Sequence, residues 1–424
     1  MTVTAPAHRA NLWKKSRIQL ALFFAVLGPG FITAMVDNDS GGILTYSQAG
    51  ARWGYLPLWT LIPITVLLII TQEMNSRMGA VTGKGLQDLI REEFGLRATF
   101  FMMVTLVVTN LTNVMAEFAG IACSLELFGI SRYVSVPVCA VGVWFLIVRG
   151  TYRSVEKIFL FASILYVTYI VSAILLKPDW KESFIYSFKP VLMLDTDYIV
   201  MLIAMVGTSI APWMQFYLQA AVVEKGVTAK EYGASRFEVI IGCIGTSVIA
   251  FFIIVACAAA IWANGPRDIN DPATAALALK PFGKYAFLLF SAGLFNASLF
   301  AASILPLSTA YSVCEGLGFE AGVNKRFGEA PVFYWLYTLL IALGAGVVLI
   351  PGFPLVKMIL FSQVLNGVLL PVVLIFMIKL INKKELMGDW TNTRFYNWVA
   401  WVSIVLIIGL TAALAGITAR QVWK

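Results

Sequence analysis

Charge is what this sequence most lacks: only 13% of its 424 residues are Asp, Glu, Lys or Arg, while 59% are hydrophobic. With a mean hydropathy of +0.83, a water-soluble core could not hide so many apolar side chains. Histidine is nearly missing as well, with only His8 in the N-terminal tail. The five cysteines (Cys123, Cys139, Cys243, Cys257 and Cys314) lie in or beside apolar runs, with no CxxC or Cys/His spacing. A zinc or redox centre is therefore not expected, and no resident cofactor is implied. No HExxH, nucleotide-binding motif or nucleophile–base pair is present, and no soluble domain interrupts the apolar runs, so the sequence offers nothing on which to build an enzyme or a signalling protein. The first 17 residues are polar and basic and carry no cleavable signal. A net charge of +8 could suggest nucleic acid, but the basic residues are spread through loops, and topology explains them better.

What is present is a succession of apolar runs of transmembrane length. Eleven spans are expected, approximately 18–50, 55–76, 98–127, 133–150, 156–176, 195–224, 237–264, 284–315, 331–350, 355–382 and 395–418. The links between them are short, the longest polar ones being 177–194 and 265–283, so residues 1–424 read as one membrane domain. Twenty of the 31 lysines and arginines fall on the N-terminal side of the membrane, from Arg9, Lys14, Lys15 and Arg17 through Arg77, Lys84, Arg153 and Lys157 to Lys383, Lys384 and Arg394. This bias predicts an inner or plasma membrane protein with a cytoplasmic N-terminus and an external C-terminus. The lipid bilayer is then its surroundings, and no obligate protein partner is evident.

Two spans carry interruptions. In the first, Asp37-Asn38-Asp39 is followed by Ser40-Gly41-Gly42 before the apolar pattern resumes at Ile43. Carboxylates inside a membrane span are costly and mark ion or substrate pathways. The two glycines could unwind the helix near 39–42 and free backbone carbonyls, and hard cations want such oxygens. In the sixth span Thr208-Ser209-Ile210-Ala211-Pro212 breaks the helix near 208–212, because proline cannot donate to the carbonyl of Thr208. Paired breaks five spans apart point to an inverted-repeat transporter with its site at the midplane. The repeats would cover approximately 18–176 and 195–382, with residues 395–418 as an additional helix. Glu117, mid-span, could relay protons or hold helices together. Gln363 and Asn366, one turn apart in the tenth span, could bind or bridge helices, and Glu73 with Arg77 looks like a structural ion pair.

These residues resemble the Nramp divalent-metal transporters. The resemblance runs through Gly28-Pro29-Gly30-Phe31, Gln48-Ala49-Gly50, Gly54-Tyr55, Arg77-Met78-Gly79, Ala116-Glu117-Phe118-Ala119-Gly120 and the Pro212 break. It implies an all-α, LeuT-like fold of 5+5 inverted repeats plus an eleventh helix, with helices 1 and 6 broken. The family signature Asp-Pro-Gly-Asn falls on Asp39, Ser40, Gly41 and Gly42, so a metal-binding asparagine is replaced by Gly42. Ala211 stands where the family's methionine would be, Trp213 and Leu218 where two histidines would be, and Val114 where a proton-route aspartate would be.

The losses agree with one another. Without thioether sulfur the preference for soft metals goes, and without the titratable chain so does a proton route. Magnesium dehydrates reluctantly and is usually bound with several waters retained, which suits a wider site. The pattern is similar to the Nramp-related magnesium transporter clade and implies carriage of Mg2+ and Mn2+ without proton coupling. The implied metal site is Asp39, Thr208, Ala211 through its carbonyl, and Gln363, with Gly42 at the vacated ligand position. A proton-coupled manganese or iron importer working through Glu117 remains a competing expectation, as does a sodium-coupled amino-acid carrier of the same fold.

Overall fold

A computed structural model describes residues 29–149 and 163–422. The N-terminal tail with His8, the basic residues up to Arg17, the expected start of the first span, and the 150–162 stretch with Arg153 and Lys157 lie outside the described residues. Helices follow one another as α1 (Pro29–Val36), α2 (Ser40–Trp53), α3 (Leu61–Thr82), α4 (Leu86–Glu126), α5 (Arg132–Val148), α6 (Val167–Leu176) and α7 (Trp180–Phe188). The chain continues through α8 (Thr196–Ser209), α9 (Pro212–Glu224), α10 (Tyr232–Ala260), α11 (Ala286–Leu317), α12 (Pro331–Val348), α13 (Leu355–Ile381) and α14 (Arg394–Val422). Among the described residues, eight helical segments are long and apolar enough to cross a membrane.

The two expected interruptions are both present, each shifted by a residue or two. The first lies at Asp37–Asp39 and not at the glycines, because Asp39 caps the next helix: its Oδ1 accepts the Gly42 N–H at 2.8 Å. Ser40, Gly41 and Gly42 are therefore the first turn of α2, and the freed backbone belongs to the residues before the cap. The second interruption is Ile210–Ala211, with Pro212 at the first position of α9, where its missing N–H costs nothing. The expected polar link at 177–194 contains α7, which Asp179 caps by accepting the Glu182 N–H at 2.9 Å. Its Phe184 and Phe188 are exposed, as suits a short helix lying beside lipid.

Small residues let the helices around the breaks approach closely. A Cβ on Gly207 of α8 would collide with backbone atoms of Gln363 and Gly367 on α13, and one on Gly50 of α2 with the Ile254 carbonyl on α10. Through such contacts α10 packs on α1, α2 and α3, while α4 packs along α11 and α13. The broken helices are thereby enclosed on several sides. Helix α14 packs against α13 and α8 but remains mostly exposed.

Candidate metal-ion site

The two breaks face each other across a buried polar layer. Asp39 is 6% exposed, Asp37 and Thr208 3%, and Gln363 and Ala211 2%, so all five are buried. Gly42 is the meeting point. A Cβ placed on it would lie 2.6 Å from the Asp37 carbonyl oxygen and 3.7 Å from Thr208 Oγ1. Beside it, a Cβ on Gly41 would lie 3.0 Å from Asp39 Oδ1 and would collide with the Gln363 amide. Glycine at 41 and 42 is thus what allows a carboxylate, a main-chain carbonyl, a hydroxyl and an amide to crowd one turn of helix.

Of the five expected site residues, the structure brings Asp39, Gly42, Thr208 and Gln363 together. Thr208 Oγ1 is buried and has no hydrogen-bond partner. Gln363 differs from expectation in which atom it presents. Its Oε1 accepts from Asn366 Nδ2 at 3.0 Å, leaving Nε2 over Gly41 and donating to Ser362 Oγ at 3.0 Å. Asn366 in turn exchanges hydrogen bonds with Asn113 of α4 at 2.9 and 3.0 Å. A hard cation needs oxygen, so Gln363 can ligate only after its amide turns over. Ala211 lies at the second break, and its carbonyl already accepts the Met214 N–H at 3.1 Å, with one lone pair left. The position vacated at Gly42 is not open space either, because the Asp37 main chain fills it.

Asp37 is separated from Asp39 by direction. Its side chain faces α10, where Thr246 Oγ1 donates to Oδ2 at 3.4 Å. Asn38 Nδ2 donates to Thr246 Oγ1 at 2.6 Å, and the Asn38 carbonyl accepts from Tyr166 at 2.8 Å. Sequence reasoning missed Asn38, Thr246, Tyr166 and the Asp37 carbonyl; two polar residues in the broken stretch itself were the only signal. Tyr46 of α2 donates to Ser209 Oγ of α8 at 2.5 Å, since Ser209 spends its own hydrogen on the Met205 carbonyl. Glu117 accepts the Ser40 N–H at 3.3 Å, while Ser40 Oγ donates to the Ala116 carbonyl at 3.1 Å. Among the described residues no three His, Cys, Asp or Glu side chains gather into a metal cage. A cation here would meet the Asp39 carboxylate and neutral oxygens, with the Glu117 carboxyl behind Asp39 and within hydrogen-bonding reach of it.

Residues 30–416 match the family described as natural resistance-associated macrophage protein-like, Nramp. The chain belongs to the Nramp family. This Nramp chain is 26% identical over 410 residues to the divalent metal cation transporter MntH of Klebsiella pneumoniae, covering 94% of this chain and 95% of that one. MntH of Yersinia pestis is 24% identical over 398 residues, covering 92% and 94%. The fold of this chain is similar to that of the Eremococcus coleocola manganese transporter, with a TM-score of 0.72 at 19% identity, across 99% of this chain and 90% of that one. A more distant likeness joins it to MhsT bound to L-phenylalanine, with a TM-score of 0.53 at 15% identity, across 91% and 98%. This Nramp chain is accordingly a multi-pass membrane transporter of metal ions with the LeuT-like fold, and not an enzyme.

The residues that depart from the family pattern are packed away in its core. Val114 is fully buried against Gly344 of α12, and Trp213 is 1% exposed with its carbonyl accepting from Ser308 at 2.9 Å. Leu218 is likewise fully buried. Where the family pattern would place titratable groups, apolar side chains fill the space.

Proposed function

We propose that this chain imports divalent cations, Mg2+ and Mn2+, by alternating access, holding a partly hydrated ion and moving no proton with it. The observation that carries this reading is the donor set at the breaks. Asp39, the Asp37 carbonyl and the unpartnered Thr208 hydroxyl are hard oxygens, and Ala211 supplies no sulfur opposite them. Gln363 joins when its amide turns over. Asn366 and Asn113 can turn with it and keep the hydrogen bonds among the three amides, with Asn366 then accepting from both neighbours, and only the bond from Gln363 to Ser362 is given up. The Ala211 carbonyl offers its remaining lone pair, and retained waters complete the shell.

The drive is electrical. A divalent charge moving through 100 mV gains about 4.6 kcal/mol, enough to concentrate it without protons. We further propose that the chain forms one domain of two inverted repeats plus α14 in the plasma membrane, with the N-terminus cytoplasmic and no obligate partner. Reconstituted protein should take up Mg2+ and Mn2+ equally well with and without a pH gradient, and faster with an inside-negative potential. Acidification of the lumen that scales with uptake would overturn the uncoupled reading.

One observation favours a second reading, proton-coupled import through Glu117. Its side chain is fully buried beside the first break and lies within hydrogen-bonding reach of the Asp39 carboxyl. The same liposome measurement separates the two.

A further inference from the structure

The residues of the site at the breaks are buried, so loading an ion calls for some part of the molecule to open. We propose that Arg52, Asp197 and Asp268, with the 265–271 segment drawn over them, form the gate on the external side. This inference rests on the N-terminus-inside orientation and on transport itself.

Helix rise places these residues at the right depth. Arg52 lies 13 residues beyond Asp39 along α2, about 20 Å, and Asp197 lies 11 residues before Thr208 along α8, about 17 Å. Both helices thus run from the site to the same membrane surface, and their outer ends meet there. Arg52 Nη2 pairs with Asp197 Oδ2 at 2.5 Å, which ties α2 to α8. Its Nη1 pairs with Asp268 Oδ1 at 2.5 Å, which ties both to the 265–271 segment. That segment is strapped down by three further bonds to α2: the Arg267 N–H donates to the Ala51 carbonyl at 3.1 Å, the Ile269 N–H to Gln48 Oε1 at 2.6 Å, and Gln48 Nε2 to Asp268 at 2.7 Å.

One guanidinium is therefore shared by the outer halves of both broken helices and the strap across them. The strength suits a gate. Arg52, Asp197 and Asp268 have side chains 32%, 58% and 44% exposed, and such exposed pairs are individually weak and easily broken. Arg77 makes the contrast. It is 8% exposed and holds Glu73, the Trp390 and Thr391 carbonyls and Asn392 at once, an arrangement for permanent attachment.

A latch that favours the closed state taxes the apparent affinity for an ion arriving from outside. In sealed proteoliposomes fed external Mn2+, Arg52→Gln should lower the apparent KM about three- to tenfold. Asp197→Asn combined with Asp268→Asn, which removes both partners and leaves Arg52 in place, should lower it to the same degree. A purely structural role predicts lower activity with KM unchanged, and an unchanged or raised KM in Arg52→Gln overturns the gate. In a second arm, Ala51→Cys with Arg267→Cys is cross-linked from outside with a short impermeant thiol reagent. Uptake by the cross-linked fraction should fall at least tenfold, and undiminished uptake by that fraction overturns the gate. Two outcomes strike the premises instead. Reaction of the pair only from the lumen reverses the orientation, and absence of Mn2+ uptake by the parent protein overturns the transport reading and the gate with it.

Discussion

The two helix breaks do the same geometric work with opposite means. The first is made by a charged cap: Asp39 turns its carboxylate onto the Gly42 N–H and starts a new helix in three residues. The second has no side-chain cap at all; Ile210 and Ala211 leave the helix and Pro212 begins the next by shape alone. One break therefore brings the negative charge and the crowding, and the other brings a bare hydroxyl and an apolar wall. Charge neutralisation should live on the first and selectivity on the second. Substitutions that exchange these properties test that division.

The largest effect should come from removing the charge. Asp39→Ala deletes the one carboxylate of the proposed donor set, and since outer-shell partners of metal ligands already cost 10–100-fold when removed, uptake of Mn2+ and Mg2+ should fall at least about 100-fold. The lost cap would cost about 1 kcal/mol, so the protein should still fold, which thermal unfolding of the purified variant checks. Retained uptake in a folded Asp39→Ala protein would place the charge elsewhere. Gly42→Asn should come next. It supplies the side chain that the family signature has at this position, yet its Cβ would meet the Asp37 carbonyl at 2.6 Å. Uptake should drop about tenfold through displacement of that backbone. A gain of affinity instead would mean that the first break relaxes freely.

On the second break the expected change is one of preference. Ala211→Met introduces a thioether into a site that has only oxygens, and Cd2+ should gain about tenfold over Mg2+ in competition assays. Thr208→Ala removes a buried hydroxyl that has no other partner, at about 0.5–1.5 kcal/mol. The apparent KM should rise about two- to twelvefold with little change in maximal rate. If the Thr208 change altered rate alone, the hydroxyl would belong to the conformational step and not to binding.

Much of this was legible in the residues because membrane insertion makes polar groups conspicuous. Asp37, Asp39, Glu117 and Gln363 stand out in apolar runs, and Pro212 announces its break through the missing N–H. The position of the first break was less legible. Ser-Gly-Gly reads as an unwound stretch by propensity, but a single cap bond from Asp39 keeps it helical. The orientation of the Gln363 amide was beyond the sequence, since it depends on Asn366 and Asn113 from two other turns of the bundle. Gly42 taught the same lesson. A missing side chain suggested room, and the chain's own backbone had taken it.

Glu117 supplies the smallest expected effect and the sharpest test of the charged break. Its Oε2 accepts the Ser40 N–H at 3.3 Å and its side chain neighbours the Asp39 carboxyl, so it touches the first turn of α2 and the cap that starts it. If its work is to hold α4 against that turn, glutamine can do it, because the amide oxygen accepts the same hydrogen bond. Glu117→Gln should then leave Mn2+ uptake within about threefold of the parent and equally indifferent to a pH gradient. If a proton travels with the metal, the carboxylate cannot be replaced by a group that does not titrate, and the variant should lose any pH dependence the parent has. Uptake by parent and variant at two external pH values, with the membrane potential clamped, decides which carboxylate at the first break works by charge and which by shape.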